Sequence, residues 1–251
     1  MGAIDLPLDH VVLLTADLEK AAALFSALGF TVTPRTEHSR EMGTANRCVM
    51  LRSTYIELLT IVRDTERSAS WRALLDRGAG LRGLALRTGD ATAACEALRE
   101  AGFDSGQVID FSRADEAGDL LRFRVCRLPA SDTDGFRLIV CEHQTPELLW
   151  RPEWTAHANG GGDIIGVEMG AGNSIESSTT LRTVAAALHK VESGDWRSTP
   201  VSVVAPEGTA RLTLSVGDLT AARRHLGRNA EEVQIDCRPA LDLTLVLQFA
   251  P

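Results

Sequence analysis

Residues 10–30 read HVVLLTADLEKAAALFSALGF, and residues 83–103 read GLALRTGDATAACEALREAGF. Laid side by side without a gap, Leu13 falls on Leu86, Thr15 on Thr88, Asp17 on Asp90 and Ala21 on Ala94. Gly29-Phe30 falls on Gly102-Phe103. Each copy reads as an apolar strand, a Thr-x-Asp turn, an amphipathic helix and a glycine that stops it. A strand–helix unit that recurs within one chain implies two pseudo-symmetric modules sharing one sheet system. The copies differ at their first position, where His10 corresponds to Gly83.

Working outward, Leu8–Leu14 is an apolar run of strand length, and Asp17 is placed to cap the helix that buries Leu18, Ala21, Ala22, Phe25 and Leu28. Phe30–Pro34, Asn46–Leu51 and Tyr55–Val62 read as three further strands, the first two separated by a polar loop, Arg35–Gly43. Ser68–Gly78, with Trp71, Leu74 and Leu75, reads as a linking helix. The second copy repeats the order: strand Leu81–Leu86, helix Asp90–Ala101, then strands near Val108–Phe111, Leu120–Arg127 and Phe136–Glu142. Asp132–Gly135 is a turn signal. The expected fold class is α+β, with paired βαβββ modules at about 7–63 and 80–143. They form a first domain over residues 1–150.

The next segment runs from His143 through Trp150 and Trp154 to His157 and Asn159-Gly160-Gly161-Gly162. Its prolines and glycines break any single regular element. Residues 151–251 are then expected to form a smaller α+β region. Ile164–Met169, Val201–Ala205, Arg211–Val216, Val233–Ile235 and Leu241–Phe249 read as its strands. The stretch from Leu212 to Leu226 echoes the earlier units faintly, as in shortened third and fourth copies.

Composition limits the function classes. The chain has 251 residues, 44% of them hydrophobic and 24% charged, the balance of a globular protein with ample core. A net charge of −8 argues against a nucleic-acid partner and against adhesion to an anionic membrane. No apolar run approaches the roughly 20 residues that span a bilayer. Five isolated cysteines suggest neither a zinc knuckle nor a disulfide framework, and the N-terminus lacks a secretory layout, so the expected compartment is the cytoplasm. Phosphate-cradling glycine loops, nucleophile elbows and His-Glu-x-x-His helices do not occur.

The opening LDHVVLLTADLEKAAALFSALGF, the paired module order, GTANR (Gly43–Arg47), YIELL (Tyr55–Leu59) and the His143–Gly160 segment resemble the vicinal oxygen chelate superfamily. More narrowly, the chain is similar to glyoxalase-like domain proteins. The resemblance implies a cupped mixed sheet and, in many members, a divalent metal held by a His or Gln of the first strand and a Glu of the fourth strand in each module. His10 and Glu57 match that pattern in the first module. In the second, Gly83 and Ile139 occupy the corresponding positions, leaving half a site. A homodimer is the family's common habit.

Alternation puts His10 and Glu57 on the face aimed into the cup. Three readings stay open. The pair ligates Mn, Fe, Ni or Zn with water completing the shell. It is a buried hydrogen-bonded pair. Or Glu57 is a general base with His10 as partner in a metal-free pocket. Asn46, Arg47 and Tyr55 are candidate substrate contacts. Arg122 and Arg124 would imply a carboxylate-bearing substrate if their face lines the cup, and are ordinary solvated arginines if it does not. His143, about 13 Å along the strand from the Ile139 position, is expected at the rim. Trp150, His157 and Asn159 either wall the pocket or staple the two regions together. His38, His189 and His225 receive no role. The expected activity is a glyoxalase-like enzyme of isomerase or lyase type acting on a small organic molecule. The alternative is a non-catalytic protein that sequesters a drug or metabolite.

Overall fold

A computed structural model describes residues 2–114, 118–129, 133, 135–171, 174–191, 198–204, 210–226, 232–238 and 240–249. The turn expected at Asp132–Gly135 lies partly outside these residues, as does the end of the Val201–Ala205 strand.

The repeat is visible in the local hydrogen bonding. β1 (Ile4–Leu6) precedes the first unit, which begins with β2 (Leu8–Leu14) and α1 (Leu18–Ala27). The Thr15 hydroxyl accepts from the Asp17 N–H at 3.1 Å, and the Asp17 carboxylate accepts from the Lys20 N–H at 3.0 Å. Gly29, at φ +91°, then turns the chain out of the helix. The unit closes with β3 (Thr36–Glu37), β4 (Thr44–Met50) and β5 (Tyr55–Ile61), and α2 (Ala69–Leu75) links it to the next. The second unit is β6 (Gly80–Arg87), α3 (Ala91–Glu100), β7 (Ile109–Ala114), β8 (Leu120–Arg127) and β9 (Arg137–His143). There Thr88 accepts from the Asp90 N–H at 3.1 Å, Asp90 accepts from the Thr92 and Ala93 N–H groups, and Gly102 stands at φ +95°. Asp17 and Asp90 thus cap equivalent helices by equivalent bonds.

One strand differs from the sequence expectation. Phe30–Pro34 is not regular, and β3 is only two residues long. The cause is where its backbone donors go. The Thr31 N–H bonds the His157 ring, and the Thr33 hydroxyl accepts the Cys48 N–H that a strand neighbour would need. Pro34 has no N–H to give.

The two units form one eight-stranded sheet in the order β3-β4-β5-β2-β6-β9-β8-β7. Within each unit the first and last strands pair in parallel, and β2 pairs antiparallel with β6 at their common boundary. The chain then runs through two short helices, α4 (Pro146–Leu149) and α5 (Pro152–Thr155), into β10 (Gly161–Gly170), α6 (Ser174–Leu188), β11 (Thr199–Val204), β12 (Arg211–Val216), α7 (Thr220–Leu226), β13 (Glu232–Asp236) and β14 (Thr244–Phe249). These strands build a six-stranded sheet, β1-β11-β10-β12-β14-β13. Its β10–β12 boundary is antiparallel, and β10–β11 and β12–β14 are parallel, the pattern of the first sheet. The N-terminal strand β1, which the sequence pattern does not announce, pairs with β11 and so belongs to this second sheet. One continuous buried cluster, with Phe25, Leu58 and Leu84 at one end and Leu181, Leu212 and Leu245 at the other, joins the two sheets through their helices. α1 packs against α7, and α3 against α6. The opposite face of the first sheet is concave and carries the site.

Candidate functional site

β2 enters the cup with an irregularity that sets the whole site. Leu8 pairs with Leu86 but His10 pairs with Ala85, so Asp9 is an extra residue opposite a single step of β6. A bulge of this kind re-aims side chains that strict alternation would send to opposite faces. The Asp9 carboxylate reaches the His10 ring, with Nδ1 to Oδ2 at 2.7 Å. It also holds His143 Nε2 at 2.9 Å and accepts from Arg87 Nε at 2.7 Å. Asp9 has no exposed surface. Burial pushes its carboxyl pKa up, but the charge of His143 and the hydrogen bonds from His10 and His143 outweigh that and hold it well below the usual carboxylate range.

With Nδ1 committed to Asp9, His10 presents Nε2 to the cavity. Tyr55, its partner on β5, stacks on the ring with centroids 4.2 Å apart. Facing Nε2 at 3.9 Å is the Glu57 carboxylate, two residues further along β5. Asn46 on β4 donates its amide to the other Glu57 oxygen at 2.7 Å. His38 Nε2 stands 4.0 Å from that same oxygen, with its Nδ1 2.7 Å from the Thr44 hydroxyl. Burial pushes the His38 pKa down, against the pull of Glu57. Cys48 beside them is pushed up to about 12 by burial and by Glu57, so it stays a protonated thiol. The Tyr55 phenol is likewise held protonated, first by burial. The cavity these groups enclose measures about 90 Å³, space for several water molecules.

The second module closes the opposite side with no polar side chain at the two positions that match His10 and Glu57. A Cβ on Gly83 would stand 3.0 Å from Val12 and 3.2 Å from the Trp71 ring. The Trp71 indole of α2 has taken the space that a His at position 83 would need, and Ile139 lines the wall near it. Arg137 stacks over the indole at 5.0 Å and hydrogen-bonds Ser70, which pins the helix in place. Arg113 and Arg127 also line the cavity.

Of the residues expected from sequence, His10, Asn46, Tyr55 and Glu57 meet in the cavity lining. His143 and Trp150 lie behind it. His143 is tied to His10 through Asp9, and Trp150 packs edge-on to Tyr55 and His143 beneath the Arg87 guanidinium. Five others lie outside the cup. Arg47 points to the helix side and pairs with Glu19 of α1 at 2.9 Å. Arg124 bonds Thr92 of α3, Asp110 and Glu142, and Arg122, two residues back on the same face, is exposed. The cup face of β8 is the alternate one, Leu121, Phe123 and Val125. His157 accepts from the Thr31 N–H and places Nε2 2.7 Å from the Met50 carbonyl, so both ring nitrogens are spent on structure. Asn159 is buried, bonding the Leu28 carbonyl and the Gly161 N–H. The stapling reading of this segment therefore describes His157 and Asn159.

Asp9, His38, Arg113 and Arg127 were not singled out by sequence. Asp9 depends on a bulge, and His38 sits in a polar loop whose return over the cup has no local signature. For Arg127 a signal existed: it continues the apolar face of Leu121, Phe123 and Val125.

The metal expectation can be tested on the donor set. At the positions the resemblance implies, His10 and Glu57 supply two donors and Gly83 and Ile139 none. Among the described residues one other group is close enough by distance: donor atoms of Asp9, Cys141 and His143 lie within 4.8 Å of one another. There the Asp9 oxygens already take Arg87 and two imidazoles, and burial followed by the Asp9 charge pushes the Cys141 thiol well above its ordinary value. A cation would have to displace a guanidinium and deprotonate that thiol. Neither set fits a firmly held transition metal, for which three protein donors are usual.

A cupped sheet of paired βαβββ units with a His–Glu pair on its floor defines a vicinal oxygen chelate fold. The chain belongs to the glyoxalase-like domain family, whose sequence pattern matches residues 8–185. The structure of a hypothetical protein from Staphylococcus aureus shares the fold at TM-score 0.66 and 11% identity, covering 97% of this chain and 98% of that one. A methylmalonyl-CoA epimerase in complex with methylmalonyl-CoA is 25% identical, with TM-score 0.42, covering 55% of this chain and 94% of its own. The epimerase from Mycobacterium tuberculosis is 24% identical, with TM-score 0.41, covering 54% and 86%. No curated protein sequence matches. Among the described residues, no helix is long and apolar enough to cross a membrane.

Proposed function

We propose that the protein is an enzyme of isomerase or lyase type that moves a proton on a small organic molecule held in the cup, with His10 and Glu57 as the acid–base pair. The observation that carries this is the facing of His10 Nε2 and Glu57 at 3.9 Å, with the other His10 nitrogen fixed on a buried Asp9. A carboxylate behind an imidazole selects the tautomer whose Nε2 carries a lone pair. Either that lone pair or the Glu57 carboxylate accepts one proton from a substrate carbon, and the other group faces it across the cavity. Returned to a neighbouring atom, the proton completes an isomerisation. Departure of a leaving group instead completes an elimination. The protonated Tyr55 phenol and the cavity arginines are the donors available to charge developing on a substrate oxygen. The reading runs on side chains alone, because the positions the resemblance implies give Mn, Fe, Ni or Zn two ligands where three are usual.

The test is hydrogen exchange. Small 2-oxo, 3-oxo and 2-hydroxy acids incubated with the protein in D2O are followed by proton NMR for loss of the C–H signal beside the carbonyl or hydroxyl carbon. The wild type should catalyse exchange in at least one of them, and His10→Gln and Glu57→Gln should slow it by about 10²–10⁴-fold. The sequestering alternative is favoured by one feature, the Trp71 indole filling the second half of the cup. Saturable binding with no exchange in any acid would decide for it.

A further inference from the structure

Two cavities meet in the first sheet. Beside the cup, a slot of about 230 Å³ lies between β8 and the α4–α5 segment, walled by Leu121, Leu148, Leu149 and Trp154. Cys48 and Arg113 line both the cup and the slot, which makes them two compartments of one site. The floor of the cup is polar, and the slot sets its apolar walls beside Thr33, Thr36 and Arg151, the last paired with Asp119. Arg113 stands at their junction.

Arg113, like Arg127 in the same cup, differs from several of the arginines around it. Arg47, Arg124 and Arg151 each have a carboxylate within 3.2 Å. Arg113, half-buried on the edge strand β7, has no carboxylate partner among the described residues. A guanidinium held partly out of water, with no carboxylate partner among the described residues, gains most from an anion delivered by a ligand. Its planar fork matches a carboxylate in two parallel hydrogen bonds. Cys48, the other shared residue, remains a protonated thiol and offers that ligand an uncharged neighbour.

We propose that Arg113 is the anion anchor of a two-compartment site, and that its ligand is an organic acid with an apolar arm. The carboxylate sits on Arg113, the neighbouring carbon reaches toward His10 and Glu57, and the arm lies in the slot against Leu149 and Trp154. This rests on the reading of the cup as a small-molecule site and adds the class of molecule it takes. Arg127 also lines the cup, but at the Trp71 end and away from the slot, so it does not join the two compartments.

The experiment measures binding without turnover, so it can succeed or fail independently of the exchange chemistry. Octanoate, propionate and octanamide are titrated by calorimetry into wild type, Arg113→Gln, Arg113→Lys, Arg127→Gln and Trp154→Ala, each checked for an unchanged melting profile. In the wild type, octanoate should bind about tenfold or more tighter than octanamide, and by a similar factor than propionate. Arg113→Gln should bring the acid-to-amide ratio close to one, whereas Arg113→Lys keeps part of it. Trp154→Ala should narrow the octanoate-to-propionate ratio and leave the acid preference in place. The proposal is overturned if the wild type binds none of the three, if it binds acid and amide equally, or if Arg127→Gln rather than Arg113→Gln abolishes the preference.

Discussion

The two halves of the eight-stranded sheet share strand order, pairing, helix caps and the glycine that ends each helix, yet only the first carries the His–Glu pair. In the first half, β2, β4 and β5 deliver His10, Asn46 and Glu57 to the cup floor. In the second, the same positions of the unit hold Gly83 and Ile139, and an indole from the linking helix occupies the space. The difference shows which features a duplicated fold must keep. Caps and ladder registers maintain the sheet, while the cup floor is free to diverge provided that the volume is refilled. Where the second unit has Gly83 in place of a His, the Trp71 indole fills the space, so that half is packed rather than hollow.

The comparison can be broken most forcefully at Asp9. Asp9→Ala strands Arg87 and two imidazoles around a buried gap, and should cost about 3–5 kcal/mol in urea unfolding. A loss under about 1 kcal/mol would mean that the network is solvated and the bulge incidental. Trp71→Ala should follow at about 3 kcal/mol, since it empties the second half of the cup. Gly83→Ala should cost about 1–3 kcal/mol through contact with Val12 and Trp71. In a Trp71→Ala background that cost should shrink, a coupling read directly from the double-mutant cycle. Additive costs would show that the indole does not fill the Gly83 space.

A smaller effect is expected with pH. Burial lowers the folded pKa of His38 and of His157 from the ordinary 6.5. The unfolded chain therefore binds protons first as pH falls through 6.5, so their contribution is present above that value and lost below it. His157→Gln should flatten part of this slope between pH 7 and 5. The depressed Asp9 pKa adds a separate loss that begins only below the ordinary carboxylate value of 3.8. Least of all, Arg124→Ala should change stability by under about 1 kcal/mol and leave ligand binding unaltered, because its partners lie on the helix side of the sheet.

Much of the fold was legible in the sequence because its signals are local. Thr-x-Asp turns, Asp caps and the closing Gly-Phe recur at one spacing, and each makes the same bond in both units. His10, Asn46, Tyr55 and Glu57 were legible for the same reason, since alternation along regular strands orients them. Arg47, Arg122 and Arg124 were candidates by chemistry, but the same alternation turns them toward the helices. What stayed hidden depends on departures from regularity or on long-range closure. A one-residue bulge brings Asp9 beside His10, a polar loop folds His38 over Glu57, and the linking helix lays Trp71 on Gly83. No spacing along the chain encodes those meetings.

The most direct test of the one-sided site is the state of the His10 ring, read by nitrogen-15 NMR of histidine-labelled protein at neutral pH. The account predicts the Nδ1–H tautomer, with a downfield Nδ1 proton that disappears in Asp9→Asn and an Nε2 signal that responds to Glu57→Gln. A ring protonated at Nε2, or one whose Nε2 signal shifts when the protein is treated with a chelator, would contradict it.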